Sequence, residues 1–184
     1  MSTILAVADT SVLINLIHSG CPAKIVSAAQ ISLCATDQVL KELKWIPAEF
    51  ESIRRHIKSV TLSGNAHDRY MQIAQEQNKH SLDDGEATTL AYALERNLPV
   101  LMDDRKGLRA CKREKVAFLT SVDVFRRALQ GSLSRAVVAD AVYRALQDGR
   151  MQVQPDDEKW VVRLIGKQRA KGCLSLPARL RNTL

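Results

Sequence analysis

The sequence is poor in aromatic residues: three Phe, two Trp and three Tyr amount to 4% of its 184 residues. No Tyr/Phe cluster stands out, which argues against reading unpaired bases by stacking. Cysteine is also sparse, and Cys21, Cys34, Cys111 and Cys173 lie far apart with no C-x-x-C pair and no nearby histidine to complete a zinc site. Buried thiols in a reducing cytoplasm are therefore expected. No apolar run approaches the roughly 20 residues of a membrane span. The opening MSTILAVADTS has only a short apolar run with no basic segment before it, so neither a signal peptide nor an anchor is expected. Internal repeats and low-complexity tracts are lacking too.

What is present is 46% hydrophobic residues and a lopsided charge. A chain of this size buries roughly 70% of its unfolded surface and needs no staple. The formal net charge is +7, yet residues 1–104 hold 9 Lys+Arg against 13 Asp+Glu, and residues 105–184 hold 18 against 7. A basic back half suits a polyanionic partner, the plain alternative being a solvated basic surface.

Short apolar runs at Ile4 to Ala8, Ile31 to Ala35, Ser59 to Leu62, Val100 to Met102 and Val116 to Leu119 read as strands, each followed by a helical stretch. After the first strand, Val12, Leu13, Leu16 and Ile17 fall at helical spacing. Thr36 or Asp37 is placed to cap a helix through Leu43, Pro47 to open another, and Asp83 or Asp84 to cap a helix ending at Arg96. A helix from Ala66 to Gln77 precedes the polar run Asn78 to Ser81. Strands alternating with helices predict an α/β fold of three layers, with a mainly parallel sheet of four to five strands covered on both faces. Beyond Gly131 the alternation stops. Amphipathic helices are expected at Ser134 to Gln147 and Asp156 to Arg169, then a tail with Leu174, Leu176, Leu180 and Leu184, so 1–131 reads as the main domain and 132–184 as a helical extension packed on it or on a partner.

Ligands of such sheets bind beyond the carboxyl ends of the strands. Asp9 ends the first predicted strand, and Asp103 and Asp104 follow the fourth; Glu42 and Glu86 lie at the edges of apolar helix faces. For each acid singly, a helix cap or a surface charge is the ordinary reading, and Asp83 and Asp84 are read as caps. Together, packing those faces on one sheet gathers like charges, which repel by about 4 kcal/mol at ~4 Å and an effective dielectric near 20. A hard divalent cation would offset that repulsion.

The segments VADTSVLINL, VLKEL, DDGEATTLAYAL and PVLMDDRKG resemble, in order, the successive acidic motifs of PIN-domain nucleases, the fold of VapC-type toxins. The likeness covers about residues 4 to 125. It implies Asp9 as central metal ligand, Glu42 and Glu86 as further ligands, Asp104 as the last acid, Asp103 as an additional acid at the metal, and Mg2+ or Mn2+ as cofactor. Thr10 or Ser11 would fix the Asp9 carboxylate and stand with Arg105, Lys106 and Arg109 at the substrate. Two differences from the usual pattern are Glu86 where Asp is common and Asp103 where Ser, Thr or Asn is frequent; the Gly-Glu pair is similar to a PIN subgroup credited only with nucleic-acid binding. The implied activity is metal-assisted hydrolysis of phosphodiesters, leaving 5′-phosphate and 3′-hydroxyl ends, in a cytoplasmic ribonuclease. DNA is not excluded by that chemistry. A cognate antitoxin and a homodimer are the partners implied.

Arg105, Arg109 and Arg113 fall on one helical face, with Lys106 and Lys112 alongside, placed to hold a phosphate backbone beyond the acids. His18, His56, His67 and His80 lack metal-ligand spacing, and Trp45 and Trp160 read as packing residues or interface anchors. Two rivals differ in kind: an inactive PIN fold that binds nucleic acid or a partner, and a phosphatase using Asp9 as nucleophile. The second usually has another Asp two residues on, where this chain has Ser11.

Overall fold

Five parallel strands form one sheet in the order β3-β2-β1-β4-β5 in the computed structural model, which describes residues 2–43, 47–75 and 82–182. The strands are β1 (Ile4–Ala8), β2 (Ile31–Thr36), β3 (Ile57–Val60), β4 (Val100–Leu101) and β5 (Phe118–Leu119). Because β1 pairs with both β2 and β4, the winding direction reverses beside it. That is the switch point at which α/β sheets open a crevice at their carboxyl ends.

Alternate residues of the central strands feed two cores, as the two-residue repeat of a strand requires. Ala6, Ala8, Leu33 and Ala35 join one apolar cluster, whereas Val7 and Cys34 join the other. On the first face lie α1 (Thr10–His18), α2 (Pro22–Ala29) and α3 (Asp37–Glu42), followed along the chain by α4 (Pro47–Arg54). The second face is covered by α5 (Asn65–Gln75), α6 (Asp84–Arg96) and α7 (Arg105–Arg113). The chain returns to the first face with α8 (Ser121–Gln130), α9 (Arg135–Gln147), a 3-10 turn (Pro155–Asp157), α10 (Glu158–Ile165) and α11 (Lys167–Lys171), and α12 (Ala178–Asn182) ends it.

Residues after 131 share the core with the sheet: Val138, Val142, Leu146, Met151, Val161 and Leu164 are buried in the same cluster as Leu13 and Phe125. The single helix expected from Asp156 to Arg169 is divided, because Gly166 adopts φ 87° between α10 and α11. An additional helix, α2, opens with Pro22 in its first turn. Trp45 and the run Asn78 to Ser81, including His80, lie outside the described residues, as do the end of the helix expected to reach Gln77 and Leu184. Among the described residues no single helix is long and apolar enough to cross a membrane, and the bent pair α1–α2 that passes by composition is built into the core. All four thiols are free, with Cys34, Cys111 and Cys173 buried.

Candidate active site

The Asp9 amide donates to the Leu101 carbonyl at 2.9 Å, which sets Asp9 abreast of the residues that leave β4. Asp9 caps α1 and accepts from the Ser11 amide at 3.1 Å and the Ser11 hydroxyl at 2.7 Å. The same hydroxyl accepts from the Asp103 amide at 3.3 Å, so Ser11 laces the two strand ends together. Asp104 likewise caps its own helix, accepting from the Lys106 amide at 2.7 Å. Two of the acids are therefore both helix caps and site residues.

Glu42 and Glu86 arrive on helices tied to each other. Thr36 caps α3 and its hydroxyl lies 2.9 Å from that of Thr88 on α6, so the two helices are joined beneath their acids. The Thr10 hydroxyl donates to Glu42, whereas the Ser11 hydroxyl donates to Asp9. Glu42 rests against Gly85: a Cβ at that position would come 2.7 and 2.8 Å from its carboxylate oxygens. Glu86 closes a capping box with Asp83, receiving the Asp83 amide at 3.2 Å while its own amide donates to the Asp83 carboxylate at 2.8 Å.

The electrostatics shows which acids face one another. Burial, then the charges of Asp83, Asp9 and Asp104, push the Glu86 carboxyl up to about 8. Burial likewise lifts Asp9 to about 6, with Asp83 adding to the rise and the Ser11 hydroxyl opposing it. Asp83, read from the sequence as a cap alone, is thus both a cap and a member of this acidic group. Among the described residues, no three acidic, histidine or cysteine side chains stand close enough to form a ready metal cage. The donors are nevertheless all oxygens, and two carboxylates whose burial opposes ionisation, with like charges adding to it, fit a hard divalent cation.

Asp103, expected from the resemblance at the metal, has its carboxylate held by neighbouring groups. It is 2% exposed, and its oxygens accept from the Ser121 backbone amide at 2.8 Å, the Ser121 hydroxyl at 2.5 Å and the Asn15 side-chain amide at 2.6 Å. Both oxygens are engaged, so Asp103 serves as a buried strut joining α1, the end of β4 and the start of α8. Asn15 and Ser121 were missed in the sequence. The only signal was a lone polar residue within the apolar stretch of α1.

The basic residues expected at the substrate lie beside this edge. Arg105, Arg109 and Lys112 line a groove of about 610 Å³ together with Asp123, Asp156 and Asp157. Lys106 is exposed, and Arg113 sits 3.9 Å from Glu114. Trp160 is half-buried, with the Arg126 guanidinium 4.9 Å above its ring, a packing role.

A family model described as a PIN domain matches residues 5–167. The chain belongs to the PIN-domain family. No curated protein matches the sequence. PIN domains are generally nucleases and generally use divalent metal ions. In this PIN domain the match runs well past residue 131 and takes in α9, α10 and the start of α11, the helices that share the first core.

Proposed function

We propose that this PIN domain is a Mg2+- or Mn2+-dependent endoribonuclease in which Asp9, Glu42, Glu86 and Asp104 serve the cation and the basic face of α7 holds the RNA backbone. The observation that carries the reading is Glu86: a carboxyl 5% exposed, beside Asp83, Asp9 and Asp104, at the carboxyl edge of the sheet. Like charges gathered in a buried place cost stability unless a cation or a proton offsets them. When bound, a divalent cation supplies Lewis acidity and a template for in-line displacement at phosphorus. The chain's own residues do the positioning. Ser11 orients Asp9, Thr10 orients Glu42, and the Asp83 amide orients Glu86. Arg105 and Arg109 lie in the groove beside Asp104, where they neutralise phosphates flanking the bond to be cut.

A second reading, a PIN fold that binds nucleic acid without cutting it, is favoured by the lack of a ready metal cage among the described residues. Cleavage separates the two. Purified protein with labelled RNA should yield 5′-phosphate and 3′-hydroxyl ends with magnesium or manganese and none in excess EDTA. Binding without cleavage under every metal tried supports the second reading, and undiminished cleavage in chelator removes the metal. Phospho-aspartate trapping tests the phosphatase alternative. A cognate antitoxin and a second copy of the chain are proposed as partners on the resemblance alone, and the free thiols suit a reducing cytoplasm.

A further inference from the structure

Residues 149–154, between α9 and the 3-10 turn, lie beyond the acidic motifs yet border the acids. Met151 and Val153 are buried while Arg150 and Gln152, alternating with them, are exposed, and the Met151 amide holds the Ala145 carbonyl at 3.0 Å. A Cβ at Gly149 would come within 2.8 Å of the Asn15 side-chain oxygen, which shows how tightly the segment is seated on α1. At its other end the Gln154 side-chain amide donates to the Asp103 carbonyl at 3.3 Å. The segment is thus a fixed wall built from both ends.

Arg150 and Gln152 line a hollow of about 220 Å³ with Ser11, Asn15, Asp103 and Asp104. Gln154 continues along the neighbouring groove with Arg105 and Arg109. One stretch of chain therefore borders both hollows, whose linings also include the consecutive residues Asp104 and Arg105.

The arginines divide sharply by partner. Most guanidinium groups hold a carboxylate, a carbonyl or a ring, as Arg69 does Glu114 and Arg127 the Ala29 carbonyl. Among the described residues Arg105, Arg109, Arg150 and Arg163 hold none of these, and three of the four line the two hollows. A buried carboxylate edge would attract any mobile cation nearby, yet Arg150 stays exposed without an ion pair. A guanidinium kept available beside Asp104 suits a ligand phosphate, which it meets with two parallel hydrogen bonds.

Resting on the nuclease reading, we infer that Arg150 is a substrate-binding residue that grips a backbone phosphate of the RNA strand at a second point, separate from Arg105 and Arg109. The strand then crosses the acids held on either flank. Fixing a flexible polyanion at two points raises the fraction of encounters in which the scissile bond lies at the carboxylates.

The test is anisotropy with a labelled single-stranded RNA in magnesium, on the Glu86→Gln background so that the strand stays whole, between ~50 and ~200 mM salt. Arg150 has a left-handed backbone at φ 55°, so Arg150→Gly removes the side chain where glycine is at ease. We expect roughly tenfold weaker binding, the lower end for a charged hydrogen bond, and a salt slope smaller by about 0.7. Arg150→Lys should keep the slope, and Arg163→Ala, away from both hollows, should bind as the parent does. Parent-like affinity and slope in Arg150→Gly, with Arg109→Ala weakened, overturn the assignment. Cleavage by the unsubstituted chain, measured in parallel, tests the nuclease reading separately. A chain that neither binds nor cuts RNA removes both.

Discussion

Replacing Glu86 by Gln should stabilise the metal-free protein, and by an amount that depends on pH. The Glu86 carboxyl sits at about 8 in the fold against an ordinary value of 4.5, raised first by burial and then by Asp83, Asp9 and Asp104. Between those two values the native state binds the proton that the unfolded chain has released, so stability falls as pH rises from about 4.5 towards 8. At pH 7 the gap of 2.5 pH units from 4.5, at about 1.36 kcal/mol per unit, sets a ceiling near 3.4 kcal/mol. Relaxation around the group brings the expected gain to ~2 kcal/mol, or roughly 4–8 °C in Tm for a chain of this length. Gln keeps an oxygen to accept the Asp83 amide, so the capping box survives the change. Thermal melts in EDTA at pH 5 and pH 7 read the effect: near-equal Tm values at pH 5, and the variant higher at pH 7. Adding manganese should raise the parent Tm and leave the variant almost unmoved, closing the gap. A variant that melts lower at pH 7, or a gap that is the same at both pH values, refutes the reasoning.

Three further substitutions probe separate parts of the site. Asp103→Ala strands the Ser121 amide and the Asn15 side chain inside the protein and should cost about 3 kcal/mol in urea denaturation; an unchanged midpoint would remove its role as a strut. Gly85→Ala sets a Cβ against both Glu42 oxygens and should reduce cleavage while shifting folding stability by less than about 1 kcal/mol, whereas full activity would take Glu42 out of the site. Gly107→Ala drives a methyl group into the buried Met102 sulfur and should lower stability by ~1–3 kcal/mol, measured by the same melts; a neutral result would mean that α7 can slide.

Local signals in the sequence served well where one element decides the outcome. The run ILAVA defines β1 to the residue, and Asp83 begins a helix that ends at Arg96 as read. The third strand was placed two residues late, since Lys58 and Ser59 are exposed on an edge strand and dilute the apolar signal. Helix α2 escaped notice because AKIVSAA offers small residues and no strong period, although Pro22 marked its start. Long-range pairings stayed hidden for a physical reason. The bond from Asn15 to Asp103 spans 88 residues, and no spacing rule connects a polar residue in an apolar helix to a strand end so far away. Asp83 was legible as a cap, but its pressure on Asp9 and Glu86 arises only from the way α6 lies across the sheet.

The placement of β1 mid-sheet bears on the order of events during synthesis. Its neighbour β2 follows within thirty residues, but the other flank stays open until Val100 and Leu101 have been made. A ribosome must therefore complete more than half the polypeptide before Asp9 can meet Asp104. Met151 and Val153 come later still. A truncated translation product ending before β4 would carry Asp9, Glu42, Asp83 and Glu86 without Asp104 and without the strand that flanks Asp9, so the acidic group is completed only in the second half of synthesis.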